Sequence, residues 1–86
     1  MMHLARIKIT DTWTEVTGVS GVAGTFKVGN DSNEIMMVSI SSVIPTNNYE
    51  RFSQHEFKTI DNTAGNKIWI KCAQVGKAGV ISILKT

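Results

Sequence analysis

Lys67-Ile68-Trp69-Ile70-Lys71-Cys72-Ala73 and, after a glycine-punctuated gap, Ala78-Gly79-Val80-Ile81-Ser82-Ile83-Leu84-Lys85 decide the fold class. β-Branched side chains are stiff at χ1 and crowd a helix, but they pack well on a pleated surface. Both runs are rich in them and are bounded by turn formers, so both read as strands, joined as a closing antiparallel hairpin. Successive strand residues point to opposite faces. Ile68, Ile70 and Cys72 therefore share an inward face, and Trp69 stands outward between Lys67 and Lys71. The second run is apolar on both sides, Ile81 and Ile83 against Val80 and Leu84, and should be covered on both.

Composition extends the reading to the whole chain. Its 86 residues include two leucines against ten isoleucines, eight valines and nine threonines, which favours strands over helices. Leu4 to Thr10 alternates, with Ala5, Ile7 and Ile9 opposed to Arg6, Lys8 and Thr10. Thr12 to Thr17 is a weaker strand holding Trp13, a core or interface anchor. Gly18 to Gly24 is a loop whose Val19 and Val22 should lie against something. Thr25 to Val28 is a strand with Phe26 and Val28 inward, and Gly29 to Asn33 is a turn built on residues that tolerate positive φ.

Glu34 to Ser42 is the longest apolar strand. Met36, Val38 and Ile40 share one side, Ile35 and Met37 the other. Such a strand is central in a sandwich or sits at an oligomer contact. Pro45 takes the chain out of the sheet. Tyr49 to Gln54 has no clean period and reads as an irregular arm or one helical turn. His55 to Ile60 alternates again, and Asp61 to Asn66 is a turn. Seven to eight strands at spacings of about ten residues predict a single all-β domain over residues 1–86, a small antiparallel β-sandwich or jelly-roll-like barrel.

Chemistry is sparse. Cys72 is the one cysteine, so no internal disulfide forms, and as an inward strand residue it reads as a buried structural thiol. His3 and His55 have no cysteine at metal-ligand spacing. Asp31-Ser32-Asn33-Glu34 lacks the spacing of a calcium loop and reads as a turn. His55 and Glu56 are neighbours in an extended segment and point apart. No catalytic, cofactor or metal site is expected, and the chain is not expected to be an enzyme. A net charge of +2 is too small and scattered for nucleic acid. No apolar run approaches ~18 residues, so no membrane span is expected. Arg6 and Lys8 interrupt any signal-peptide core, and a lone thiol fits synthesis in a reducing cytoplasm. A chain of this length has a marginal core and gains from a partner subunit.

The order of the pieces resembles the small all-β virion proteins of tailed bacteriophages. The resemblance lies in Trp13-Thr14-Glu15-Val16, the run Val38 to Ile44 entering Pro45-Thr46, Gly65-Asn66-Lys67-Ile68-Trp69-Ile70-Lys71 after a polar segment, and a short terminal β run. It spans roughly residues 12 to 85. Leu4–Thr10 and the charged Tyr49–Phe57 segment depart from the pattern. The resemblance implies a virion structural protein, made in the host cytoplasm and often trimeric. It would be a capsid decoration or cement protein bridging major capsid subunits, with a tail, fibre-base or head–tail component as the alternative. Met36, Val38, Ile40, Trp69, Val80, Leu84, Val19 and Val22 are the candidate contacts. A second alternative is a small carbohydrate-binding module stacking sugars on Trp69, Tyr49 or Trp13.

Overall fold

A computed structural model describes residues 2–16, 19–46 and 48–85, with side chains placed from Arg6 to Leu84 within those ranges. Thr17 of the expected second strand, Gly18 of the glycine loop and Asn47 lie outside the described residues, as do the side chains of Ala5 and Lys85. Eight antiparallel strands follow one another: β1 (Met2–Ile9), β2 (Thr14–Glu15), β3 (Gly24–Asn30), β4 (Met36–Ile40), β5 (Glu50–Phe52), β6 (Phe57–Asn62), β7 (Ile68–Cys72) and β8 (Gly79–Lys85).

They form two four-stranded sheets, ordered β1-β8-β3-β6 and β2-β7-β4-β5. The registers explain the order. Ile7 pairs with Ile81, Thr14 with Ile70, Phe26 with Ile60 and Met36 with Phe52, all nearly symmetric about Ser42–Ile44. The chain is thus one long double-stranded ribbon, its first half paired with its second, rolled so that β8 also meets β3 and β7 also meets β4. This winding is the jelly roll, a double-sheet architecture.

Period-two alternation sets what lies between the sheets. The first sheet contributes Ile9, Phe26, Val28, Ile60, Ile81 and Ile83. The second contributes Met36, Val38, Phe52, Ile68, Ile70 and Cys72, and Val16 and Val19 close one end. The alternations expected for Leu4–Thr10, Thr25–Val28, Lys67–Ala73 and Ala78–Lys85 match these faces, with Val80 and Leu84 half-buried on the outer side.

Three expectations are corrected. Lys67–Lys85 is not a hairpin: β7 belongs to one sheet and β8 to the other, so residues 73–78 arch across the sandwich. Tyr49–Gln54 is neither arm nor helical turn, because β5 pairs with β4 there, Met37 opposite Arg51. Glu34–Ser42 shortens to the five residues of β4, and β1 with eight is the longest strand. Ile35 stays outside β4, its carbonyl held by the amide of Ala73 at 2.9 Å, and β4 is central, flanked by β5 and β7.

Candidate functional site

The rolled ribbon sends its connections to two ends. At one end, the Asp11 carboxylate accepts from the Gly76 amide at 2.8 Å, and His55 Nε2 meets Asn33 Oδ1 at 2.9 Å. The β1–β2, β3–β4, β5–β6 and β7–β8 connections gather there. At the other end, the Asn62 side-chain amide reaches the carbonyls of Val19, Val22 and Asn66, and the Ser41 amide donates to the Lys67 carbonyl at 3.0 Å. This end collects β2–β3, β4–β5 and β6–β7.

Exposed apolar side chains concentrate at the second end. Val43 and Ile44 are 67% and 61% exposed on the β4–β5 connection, Ile40 and Tyr49 flank it at 43% and 48%, and Val22 on β2–β3 is 44% exposed. Single exposed hydrophobes are ordinary, but four within ten consecutive residues form a patch, the kind of surface that docks. Both ends of the connection are also tied down. Its start is fixed by the Ser41 amide and by the Trp69 indole N–H, which donates to the Ser41 carbonyl at 2.9 Å. Its end is fixed by Ser39, whose hydroxyl donates to the Asn48 carbonyl, and Pro45 is buried in its middle. Residues already tied by such bonds lose less entropy on binding than free ones.

The expected contacts divide accordingly. Met36, Val38 and Val19 are in the core, and Trp69 is 9% exposed with its indole N–H bonded. Their surface is used within the protomer, and Trp69 is not a free stacking platform. It does lie on the outer face of its sheet, as its position between Lys67 and Lys71 implies, but the β4–β5 connection reaches over it. Val80 and Leu84 are half-buried, whereas Ile40 and Val22 are exposed at one end. Val43 and Ile44 were the residues that sequence reasoning missed. Their signal was a Val-Ile pair immediately before a proline, apolar residues where the chain leaves the sheet.

Two further arrangements matter. Trp13 and Tyr49 meet with ring centroids 6.2 Å apart, and Lys71 Nζ lies 5.3 Å from the Trp13 centroid. At the open edge of the sandwich, a cleft of about 370 Å³ lies between β5 and β6. Glu50 and Lys58 point into that gap from opposite sheets and pair at 3.6 Å.

The remaining titratable groups serve local structure. Glu56 Oε1 accepts from the Ser53 amide at 2.8 Å and its Oε2 pairs with Lys58, while His55 is turned away with a φ of 57°. Cys72 is buried, its Sγ 3.5 Å from the Ile9 carbonyl. Burial raises its thiol pKa, and the carboxylates of Glu34 and Asp11 raise it further. Among the described residues no group of three or more His, Cys, Asp and Glu side chains could hold a metal. Comparison with known proteins finds no matching family model, no matching curated protein and no matching solved structure.

Proposed function

We propose that the chain is a bacteriophage virion structural protein, a capsid decoration protein that bridges neighbouring shell subunits as a homotrimer. One observation carries the reading: the pinned, apolar-tipped β4–β5 connection, with Val43 and Ile44 at its apex and Ile40, Tyr49 and Val22 around it. The ordered pieces quoted from the sequence support it. The jelly-roll winding supports it by analogy alone, since viral capsid proteins and lectins share that architecture and a fold does not specify a function. The mechanism is mass action. A protein that binds only the assembled shell adds its binding free energy to that shell.

Stripped particles re-decorated with the wild-type chain should withstand heating that releases the genome from bare ones. The V43S/I44S variant should fold normally and fail to re-decorate. Bare particles as robust as decorated ones would remove the cementing role. Density in the tail rather than on the head would move the protein to the alternative position. Light scattering on the free chain tests the trimer.

A further inference from the structure

We propose that the free edge of β1 docks an extended segment of another polypeptide, antiparallel to β1, with acidic side chains at alternate positions. The edge shares no residue with the β4–β5 patch. Its main-chain directions follow from the register. The Asp31 amide donates to the Val80 carbonyl, so Val80, and with it Ser82 and Leu84, aims its backbone groups at β3. Gly79, Ile81 and Ile83 aim theirs at β1, where they pair with Ile9, Ile7 and Ala5. Arg6 and Lys8 are left with an N–H and a C=O each pointing out of the sheet. Thr10, next in that series, has its carbonyl taken by the Cys72 amide at 2.8 Å, which ends the open stretch. Among the described residues no bond occupies the outward backbone groups of Arg6 and Lys8.

This edge differs from the other three. β2 and β5 are two and three residues long, and β6 carries Lys58 in its core-facing row. β1 has eight residues, its core-facing row holds Ile7 and Ile9, and its register irregularity lies earlier, between His3 and Ala5. A long edge without an inward charge is a template for pairing. Ile7 is half-buried against the core, so an added strand would finish covering it. Charge selects the occupant. Arg6 and Lys8 are exposed two residues apart on the outer face. Arg6 meets Asp31 through one Nη at 3.5 Å, and among the described residues Lys8 has no ion pair. A second copy adding β1 to β1 around Ile7 would set Arg6 against Lys8, which is unfavourable. A second copy adding β6 would bring Lys58 against the apolar row. A segment of the pattern acidic–apolar–acidic instead sets its carboxylates opposite Arg6 and Lys8 and its apolar residue beside Ile7. Main-chain hydrogen bonds to Arg6 and Lys8 supply the affinity, and the side chains supply the choice.

The test is an amide-resolved NMR titration of the intact chain with a terminally blocked Thr-Val-Glu-Val-Glu-Val-Thr peptide. Saturable shifts should centre on Arg6–Lys8, and the amides of Arg6 and Lys8 should gain protection from exchange. The peptide N-methylated at both glutamates should not bind. Methylation at the central valine, whose N–H points away from β1, should be tolerated. Lys8→Glu should weaken binding about fivefold and should instead favour the peptide with lysines in place of the glutamates. Lys8→Pro removes an N–H that faces outward, so the fold should stand and peptide binding should be lost. The V43S/I44S variant should bind the peptide unchanged, so failure of this edge and failure of the docking loop are distinguishable. Absence of shifts at millimolar peptide, shifts mapping elsewhere, or binding of the doubly methylated peptide would overturn the proposal. So would equal binding of the lysine peptide by the wild-type chain. A dimer of the free chain already protected at Arg6 and Lys8 would overturn it too, giving the edge to a second copy.

Discussion

Asn30 and Asn62 clamp opposite ends of the same strand pair. Asn30 closes β3, and its Nδ2 reaches the carbonyls of Glu34, Phe52 and Ser53 at 2.8, 3.2 and 3.1 Å. Asn62 closes β6 opposite Gly24, and its Nδ2 reaches Val19, Val22 and Asn66 at 3.2, 3.1 and 2.9 Å. Each Oδ1 accepts a backbone N–H, from Ser32 at 3.1 Å and from Asn66 at 2.8 Å. Both side chains are buried, at 1% and 2% exposure. One amide therefore ties two connections together at each end of the jelly roll.

Asn30→Ala and Asn62→Ala should each cost about 3 kcal/mol, because buried carbonyls lose donors that no water replaces. That is a large share of the stability of so small a domain. Urea midpoints should fall with the slope unchanged. In Asn62→Ala, amide exchange should quicken first around Val19–Val22. A shift within the roughly 0.5 kcal/mol of an ordinary surface substitution would show that the clamps are dispensable.

Phe57 lies over Gly29, its partner in the β3–β6 register, which accounts for an aromatic ring left 53% exposed. Lys27 Nζ approaches the same ring at 5.7 Å. A Cβ on Gly29 would come within 2.5 Å of the Phe57 ring. Gly29→Ala should therefore destabilise by about 1–3 kcal/mol through overpacking. In a Phe57→Ala background the same change should be neutral or favourable, since alanine holds a strand better than glycine. Additive costs in the double-mutant cycle would refute the contact.

Alternation made the faces legible. Phe26 and Val28, Ile68 and Ile70, and Ile81 and Ile83 lie where period two puts them, because one side of each strand meets the core. The partners of β7 and β8 were not legible. A Gly-rich gap looks alike whether it turns a hairpin or arches between sheets, and the choice is made by β1 and β3 holding β8, far away in sequence. β5 was hidden because three residues carry no period. Asn30 and Asn62 read as turn formers that tolerate positive φ. Among the described residues His55 is the non-glycine with that backbone, and the asparagines act through their side chains instead. The apolar loop was missed for a related reason: periodicity says nothing about residues outside a strand.

Lys58 guards the β6 edge. It falls in the inward row with Ile83 and Val28, yet it is charged, and its ammonium sits 5.9 Å from the Phe52 centroid between Glu50 and Glu56. An inward-pointing charge keeps an edge strand from recruiting another. The edge strands of the second sheet, β2 and β5, are protected by brevity, at two and three residues. Lys58→Ile should keep the fold and add concentration-dependent self-association, seen by light scattering. A variant with the wild-type mass at every concentration would assign the protection elsewhere.

Cys72 should be inert in the native state and should make the fold sensitive to alkali. Burial, then Glu34 and Asp11, hold its folded pKa above the ordinary thiol value. The native state thus keeps the proton after the unfolded chain has lost it, so stability falls as pH rises. The contribution is fully present below the unfolded thiol's pKa and is lost as pH climbs through the folded one. At neutral pH, labelling by a thiol reagent should follow unfolding, slow in buffer and fast in urea, since the thiolate is the reacting species. Removing the thiol in Cys72→Ala should flatten the alkaline decline while lowering stability near neutrality through the cavity it leaves. Native-state labelling as fast as that of a free thiol, or an alkaline decline unchanged in Cys72→Ala, would place the thiol outside the core.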